Sequence, residues 1–267
     1  MILNEEHKLW PRPAYDESDE PHFVFILTPP YTGSTAMATY LATSPNVGLL
    51  CKNGEGQELV PGIWRNWNTN HKIDLESIKS AWLHQYQKIN THGQIDIIVE
   101  KSPPNMVRIE SIRTIFKNAS CIVSNRDPVA FCSSRYFRSH NDRGALSLKE
   151  RQAILSKIAL NWIRRSTLLM EILSNHAFPR TSYEKFCEEP HHLKDVVERA
   201  SGKTTLPNSN AYLRIKDYPP SVISNRNEEQ ISRLSEFEVD AILKALEPHH
   251  DVTDFFGYSP RFWQRSR

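Results

Sequence analysis

Residues 23–35 read FVFILTPPYTGST, and this stretch decides the fold. Phe23 to Leu27 form an unbroken apolar run of aromatic and branched side chains, stopped by Pro29-Pro30. A run so short and so apolar predicts a strand buried on both faces, as in a parallel sheet. From Ser34 to Leu41 the apolar Met37, Tyr40 and Leu41 recur at helical spacing, and Ser34 or Thr35 is available to cap the first turn. Strand, loop and helix therefore follow one another directly.

Further along, the same order recurs at 95–99 (IDIIV), followed by Pro103-Pro104 and a helical stretch from Asn105 to Phe116. It recurs again at 120–124 (SCIVS), followed by Arg126-Asp127-Pro128 and a helix to about Arg138. Repeated strand–helix units predict an α/β class fold, a three-layer αβα arrangement around a central parallel sheet with ligands at the strands' C-terminal ends. The pattern adds a long helix over 148–173, with Ile154, Ile158, Leu160, Trp162 and Leu169 as its packing face. A short strand near 178–182 and helices at about 191–200 and 228–246 complete it. Residues 202–227 carry three prolines and weak periodicity, which predicts a long surface loop of a length that is usually functional. No internal repeat or linker interrupts the chain. The expectation is one domain over 1–267, with residues 1–20 an irregular N-terminal segment.

Composition narrows the function. Hydrophobic residues make up 39% and charged residues 24%, the profile of a soluble globular protein. Lys plus Arg is 33 against 31 for Asp plus Glu, a net charge of +2, which argues against a general nucleic-acid binder. Any anion must be held locally. The 9 glycines form no G-x-G-x-x-G fingerprint, so a Rossmann dinucleotide site is not expected. Cys51, Cys121, Cys132 and Cys187 show no metal-ligand spacing; they read as reduced thiols, with Cys121 in the core and no metal expected. The first twenty residues are acidic and lack an apolar leader, and no run approaches the ~18 residues of a membrane span. The expectation is a cytoplasmic protein that does not enter a membrane.

The loop Thr28–Thr35 offers the hydroxyls of Thr32, Ser34 and Thr35 and the backbone of Gly33 around the positive end of a helix, a phosphate-binding arrangement. It is not a Walker A loop, because the spacing differs and it contains no lysine. After the 120–124 strand, Arg126 and, eight residues on, Ser134 are placed to face a second phosphate, by a charge-assisted fork and one hydrogen bond.

These residues resemble the superfamily of sulfotransferases that use 3′-phosphoadenosine 5′-phosphosulfate (PAPS) and share a P-loop NTPase-like fold. The loop 28–35 is similar to the family's 5′-phosphosulfate loop, and Arg126 to Ser134 to its 3′-phosphate signature. Asn53-Gly54-Glu55-Gly56-Gln57 resembles the segment that carries the catalytic base of tyrosylprotein sulfotransferases. Val99-Glu100-Lys101-Ser102-Pro103 resembles the family's strand-end lysine segment, Thr181 to Phe186 its element near the adenine pocket, and Phe256-Gly257-Tyr258 a terminal motif. The resemblance implies Glu55 as base, with Glu58 and Glu100 as rivals. It implies Lys101 on the sulfonate and bridging oxygens, Tyr31 to Thr35 on the 5′-phosphosulfate, Arg126 and Ser134 on the 3′-phosphate, and Tyr183 near the adenine. The product would be adenosine 3′,5′-bisphosphate.

One position departs from the family. Tyr31 stands where Arg or Lys is usual, bringing a hydrogen bond but no positive charge. Neutralisation would then rest on Lys101 and backbone donors, or on a basic residue from elsewhere such as Arg226. Alternatives remain: a P-loop-type small-molecule kinase, or a non-catalytic nucleotide-binding protein of the same fold. The expected acceptor is a small intracellular molecule, a phenol, alcohol or amine of secondary metabolism such as an alkaloid of the saxitoxin kind. Its contacts are expected from residues 56–72, 136–148 and the loop after Gly202, with the protein a monomer or homodimer. Trp64 and Trp67 read as packing or pocket lining. His22, His84, His92 and His140 have no flanking partner and read as structural.

Overall fold

The computed structural model describes residues 20–60, 74–140, 146–216 and 218–258. Five strands, β1 (His22–Leu27), β2 (Val47–Gly48), β3 (Ile97–Glu100), β4 (Ala119–Asn125) and β5 (Arg180–Ser182), form one sheet of order β2-β3-β1-β4-β5. Every strand pair is parallel, with Phe25 opposite Glu100 and Leu27 opposite Val123. β1 is buried along its whole length, as its apolar run predicts. Its alternate side chains feed two cores. Phe23, Phe25 and Leu27 pack with Trp82, Phe116 and Met106, whereas Val24 and Ile26 pack with Met37, Leu41 and Val196 on the other face. Both faces are thus covered by helices, which is the expected αβα layering.

The helices are α1 (Ser34–Leu41), α2 (Leu75–Ile89), α3 (Ile109–Ile115), α4 (Pro128–Ser139), α5 (Leu148–Asn175), α6 (Tyr183–Glu188), α7 (Pro190–Ser201), α8 (Asn227–Ile231), α9 (Glu236–Leu246) and α10 (His250–Phe255). A third apolar cluster, with Phe131, Tyr136, Leu155, Trp162, Ile242 and Leu246, binds α4, α5 and α9 together. Among the described residues no helix is long and apolar enough to cross a membrane.

Several expectations change in detail. The helix expected over 105–116 starts as a 3₁₀ turn, Pro103–Arg108, before α3. The helix expected over 228–246 is two, since Ser235 and Glu238 form a reciprocal cap that begins α9 anew. Leu160 is 48% exposed and lies off the buried face of α5, which runs through Ile158, Trp162 and Leu169. β2 and α6 are too short to carry a pattern, whereas α2 was not expected although Leu75, Ile78, Trp82, Tyr86 and Ile89 recur at helical spacing. Cys121 and Cys132 are buried free thiols, with burial pushing the Cys121 thiol up to about 12.

The sheet order places the site. The chain leaves β1 toward β2 at one edge and leaves β4 toward β5 at the other, so the loops after these neighbouring strands diverge and open a crevice between them.

Candidate active site

At the β1 end of the crevice, Thr28 and Thr32 share a hydroxyl hydrogen bond of 2.5 Å, and Thr32 Oγ1 also donates to the Pro29 carbonyl at 2.7 Å. These bonds curl the loop so that Gly33, rather than Ser34 or Thr35, occupies the cap position of α1, at φ 85° and with no side-chain cap. The first N–H groups of α1 therefore keep their donors for another acceptor. A Cβ on Gly33 would lie 2.3 Å from Cδ2 of Tyr183, so the glycine is required both by its left-handed backbone and by the ring against it. Tyr31 also has positive φ, 69°.

On the β3 side, Lys101 is 2% exposed, and its Nζ donates to Thr35 Oγ1 at 2.9 Å and to Glu55 Oε1 at 2.5 Å. Gln57 Nε2 donates to the other Glu55 oxygen at 2.8 Å. Burial pushes the Glu55 carboxyl up, but the Lys101 ammonium, the Gln57 amide and the charge of Lys216 together hold it below its ordinary value. Burial, aided by the like charge of Lys216, holds Lys101 below its ordinary value although Glu55 pulls it up.

The Glu55 turn is sutured to the end of β3. Lys101 N donates to the Gly54 carbonyl, Gly56 N to Glu100 Oε1 and Gln57 N to Ser102 Oγ, while Trp82 Nε1 donates to the Gly56 carbonyl at 2.9 Å. Glu100 is fully buried and also accepts from Ser102 and from Asn105 Nδ2; burial pushes it up to about 7 against the pull of these donors. It is closed off from any acceptor, whereas Glu58, the other rival, is exposed and meets Asn53 at 3.5 Å.

On the β4 side, Arg126 is buried. Its Nε donates to Asn227 Oδ1 at 2.8 Å, its Nη1 to the Tyr31 carbonyl at 3.3 Å, and its guanidinium lies 4.1 Å from the centre of the Tyr183 ring. Its Nη2 is buried with no hydrogen-bond partner among the described residues. A buried guanidinium nitrogen left open in this way favours an anion. Tyr183 thus contacts both Arg126 and Gly33, and its hydroxyl accepts from Arg226 N and donates to the Ser224 carbonyl. The Arg226 guanidinium turns to Ser221 Oγ at 3.3 Å and to the Tyr218 ring. Ser134 is half-buried on α4, and its hydroxyl makes no hydrogen bond to another described residue. Asp127 caps α4 through the Ala130 N–H at 2.8 Å, and burial pushes its carboxyl up to about 7.

Of the expected residues, the structure gathers Tyr31 to Thr35, Glu55, Lys101, Arg126 and Tyr183 at one crevice, and joins Arg226 to it through its backbone. Asn227, Glu184, Lys216 and the Trp82 suture were not expected. Glu184 accepts from Asp127 N, Asn227 Nδ2 and Tyr258 Oη, so it ties three segments of the site together. Its place beside Tyr183 was a signal, and Lys216 lies in the loop after Gly202 whose length alone pointed to function, whereas Asn227, at the start of α8, gave none. Trp64, Trp67 and, of the expected acceptor segments 56–72 and 136–148, residues 61–72 and 141–145 lie outside the described residues. His22 bonds Asn118 and Ser120 at the opposite end of β1, a structural role. A cavity of about 580 Å³, lined by Phe116, Cys121, Phe178 and Arg199 where β4 begins, is also remote from these groups.

The sequence profile described as "Sulfotransferase family" matches residues 21–165, more than half of the chain. The chain belongs to the sulfotransferase family. Among solved structures, this sulfotransferase is similar to the sulfotransferase domain of the Synechococcus PCC 7002 olefin synthase, with 14% identity, TM-score 0.51, and 88% of this chain and 97% of that one covered. It is also similar to the sulfotransferase STF9 of Mycobacterium avium, with 10% identity, TM-score 0.51, and 86% and 76% covered. STF1 of Mycobacterium tuberculosis H37Rv gives 12% identity and TM-score 0.51, over 85% and 76%. At such identities the likeness is one of fold. No curated protein sequence matches this sulfotransferase.

Proposed function

We propose that the protein transfers a sulfuryl group from PAPS to a hydroxyl or amine of a small-molecule acceptor and releases adenosine 3′,5′-bisphosphate. The observation that carries this reading is the loop 28–35 held between the Lys101–Glu55 pair on one side and Arg126 on the other. Two anion-binding groups at neighbouring strand ends suit a donor with phosphates at both ends, and the open Arg126 Nη2 fits one of them.

When bound, the donor supplies the sulfuryl group, whose bond to a phosphate oxygen breaks as a bond to the acceptor forms. Ser34, Thr35 and the first N–H groups of α1 hold its 5′ side, and Arg126 with Ser134 the 3′-phosphate. Lys101 meets charge that develops on the transferring oxygens, and catalysis is largely placement and electrostatics. Glu55 takes the acceptor's proton on a carboxylate oxygen. Lys101 pins that carboxylate in the structure. When the ammonium turns to an anion on the donor, Glu55 loses the strongest of the groups that hold it down, so that burial is opposed only by Gln57 and Lys216 and its proton affinity rises, which makes it a better base. The same reading takes residues 1–267 as one domain, supported by the single sheet to which both halves of the site belong.

Calorimetry and turnover with labelled donor and a panel of phenols, alcohols and amines test the proposal. Glu55→Gln should abolish turnover and keep bisphosphate binding; Arg126→Ala should lose that binding by roughly ten- to a hundredfold, as expected for a charged hydrogen bond. Unchanged affinity in Arg126→Ala would sink the donor site.

A further inference from the structure

Arg126 is oriented from several sides. Trp162 Nε1 donates to its carbonyl at 3.1 Å, its Nη1 donates to the Tyr31 carbonyl at 3.3 Å, and its plane lies against the Tyr183 ring. Its Nε donates to Asn227 Oδ1 at 2.8 Å, which leaves Nη2 as the nitrogen without a partner among the described residues.

The Asn227 contact depends on which way an amide is turned. An arginine Nε–H can only donate, so Asn227 has to present its carbonyl oxygen; the amide turned over would set donor against donor. Asn227 alone does not select between the two orientations. Glu184 does, because its Oε1 accepts from Asn227 Nδ2 at 2.7 Å, and an ionised carboxylate offers no donor to the reversed amide. Glu184 is itself held on both oxygens. Asp127 N donates to Oε1 at 3.0 Å and Tyr258 Oη to Oε2 at 2.7 Å. Since Asp127 follows Arg126 in the chain, the contacts close a ring from the Arg126 backbone through Asp127 N, Glu184 and Asn227 back to the Arg126 guanidinium.

Asn227 reaches this ring at the end of the long loop that follows Gly202. It opens α8, and its N–H donates to Asn225 Oδ1 at 3.0 Å. Just before it, the Tyr183 hydroxyl accepts from Arg226 N and donates to the Ser224 carbonyl, each at 3.2 Å. The loop whose length pointed to function therefore delivers the amide that orients Arg126.

We propose that Glu184 is a positioning residue: it fixes the Asn227 amide so that Asn227 holds the Arg126 guanidinium with Nη2 free for an anion, and in this way sets the affinity for a phosphate at that nitrogen. Glu184 touches neither donor nor acceptor. The inference rests on the donor reading above only for the identity of the anion, the 3′-phosphate.

The test takes the full-length protein with isotope-labelled arginine and makes two measurements. One is the hydrogen exchange of the Arg126 Nε–H without ligand, its resonance assigned by its loss in Arg126→Ala. The other is calorimetric affinity for adenosine 3′,5′-bisphosphate and for adenosine 5′-monophosphate, which lacks the 3′-phosphate. Glu184→Ala should exchange the Nε–H roughly tenfold faster than wild type, because the bond that protects it is no longer held in place. Bisphosphate affinity should fall roughly three- to tenfold while the monophosphate binds as before. Glu184→Gln keeps a carbonyl oxygen for Asp127 N and Asn227 Nδ2 and should recover most of both losses. In the Arg126→Ala background, Glu184→Ala should weaken the bisphosphate by less than about twofold more, since the two residues act in one chain.

The inference is overturned if Nε–H exchange in Glu184→Ala matches wild type, if the losses from Glu184→Ala and Arg126→Ala multiply, or if both nucleotides weaken equally, the mark of general damage. A wild-type protein that binds neither nucleotide refutes the donor reading, whereas faster Nε–H exchange in Glu184→Ala still supports the positioning. Should Glu184→Ala fail to fold, Asn227→Ala, which removes the amide itself, is read in the same way.

Discussion

Gly33 meets two demands at once. Its φ of 85° costs a residue with a Cβ about 1–2 kcal/mol, and that Cβ would also strike the Tyr183 ring at 2.3 Å. Because the same ring carries Arg126, Gly33→Ala should lower the melting temperature and also weaken bisphosphate binding. Full affinity in the alanine variant would show that the ring does not link the two halves of the site. Asp127 makes a different case, one of pH. Burial raises its carboxyl from 3.8 to about 7, so between these values the folded protein binds the proton more tightly than the unfolded chain. Its contribution to stability is complete below 3.8 and is lost as pH rises through about 7. Asn keeps the cap on the Ala130 N–H and does not titrate. Across that window wild-type stability should fall more steeply than that of Asp127→Asn, by at most about 1.4 kcal/mol per pH unit. Parallel curves in denaturant midpoints would refute the shift.

The suture between the Glu55 turn and β3 governs the site at the level of elements. Gly56 lies so close to Trp82 that an added Cβ would come within 2.7 Å of the indole, and the indole nitrogen holds the Gly56 carbonyl. Glu100 receives N–H groups from Gly56, Ser102 and Asn105, so a side chain with its own amide donor cannot replace it without opposing them. Glu100→Gln is therefore expected to cost about 1–3 kcal/mol in chemical denaturation and to displace Glu55, because a buried donor then faces donors. Turnover should fall while bisphosphate affinity, which depends on Arg126 across the crevice, stays near wild type. Wild-type turnover in that variant would separate the suture from the chemistry. A second segment acts on the same pair through its charge. The segment bridged by Leu213 and Ser221 bears Lys216, in a left-handed conformation, and its charge acts on both Glu55 and Lys101. Lys216→Ala should shift the acid limb of the turnover profile to higher pH, since Glu55 loses a charge that holds it ionised. An unmoved profile would place Lys216 outside the reaction.

For the molecule as a whole, what could be read in advance followed from burial. β1, β3 and β4 are apolar runs because both their faces are covered, and that covering also requires the βα order that puts Thr28–Thr35 and Arg126 side by side. β2 spans Val47–Gly48, too short for any periodicity, and the start of α9 is set by a local cap rather than by an apolar stripe. The Lys101–Glu55 contact joins residues 46 apart, and Arg126 meets Asn227 from 101 away; spacing in the chain carries no trace of either. Charge shows the same limit. A net charge of +2 reads as neutral, yet Lys101 and Arg126 stand on the two sides of the loop 28–35. That concentration has a global consequence, because a ligand spanning the loops of β1 and β4 ties both halves of the sheet to the folded state. At a hundred times its dissociation constant, adenosine 3′,5′-bisphosphate should add about 2.7 kcal/mol to stability. For a chain of this size that is a rise of about 5–10 °C in Tm. The rise should shrink at high salt, since exposed Lys216 is screened by ions. Arg126→Ala, which binds ten- to a hundredfold more weakly, should gain only about 0.4–1.4 kcal/mol at the same concentration and so rise by less than half as much, and ATP with Mg²⁺, which lacks the 3′-phosphate, should raise wild-type Tm by less. Equal shifts from the two nucleotides would mean that the crevice does not grip both ends of the donor.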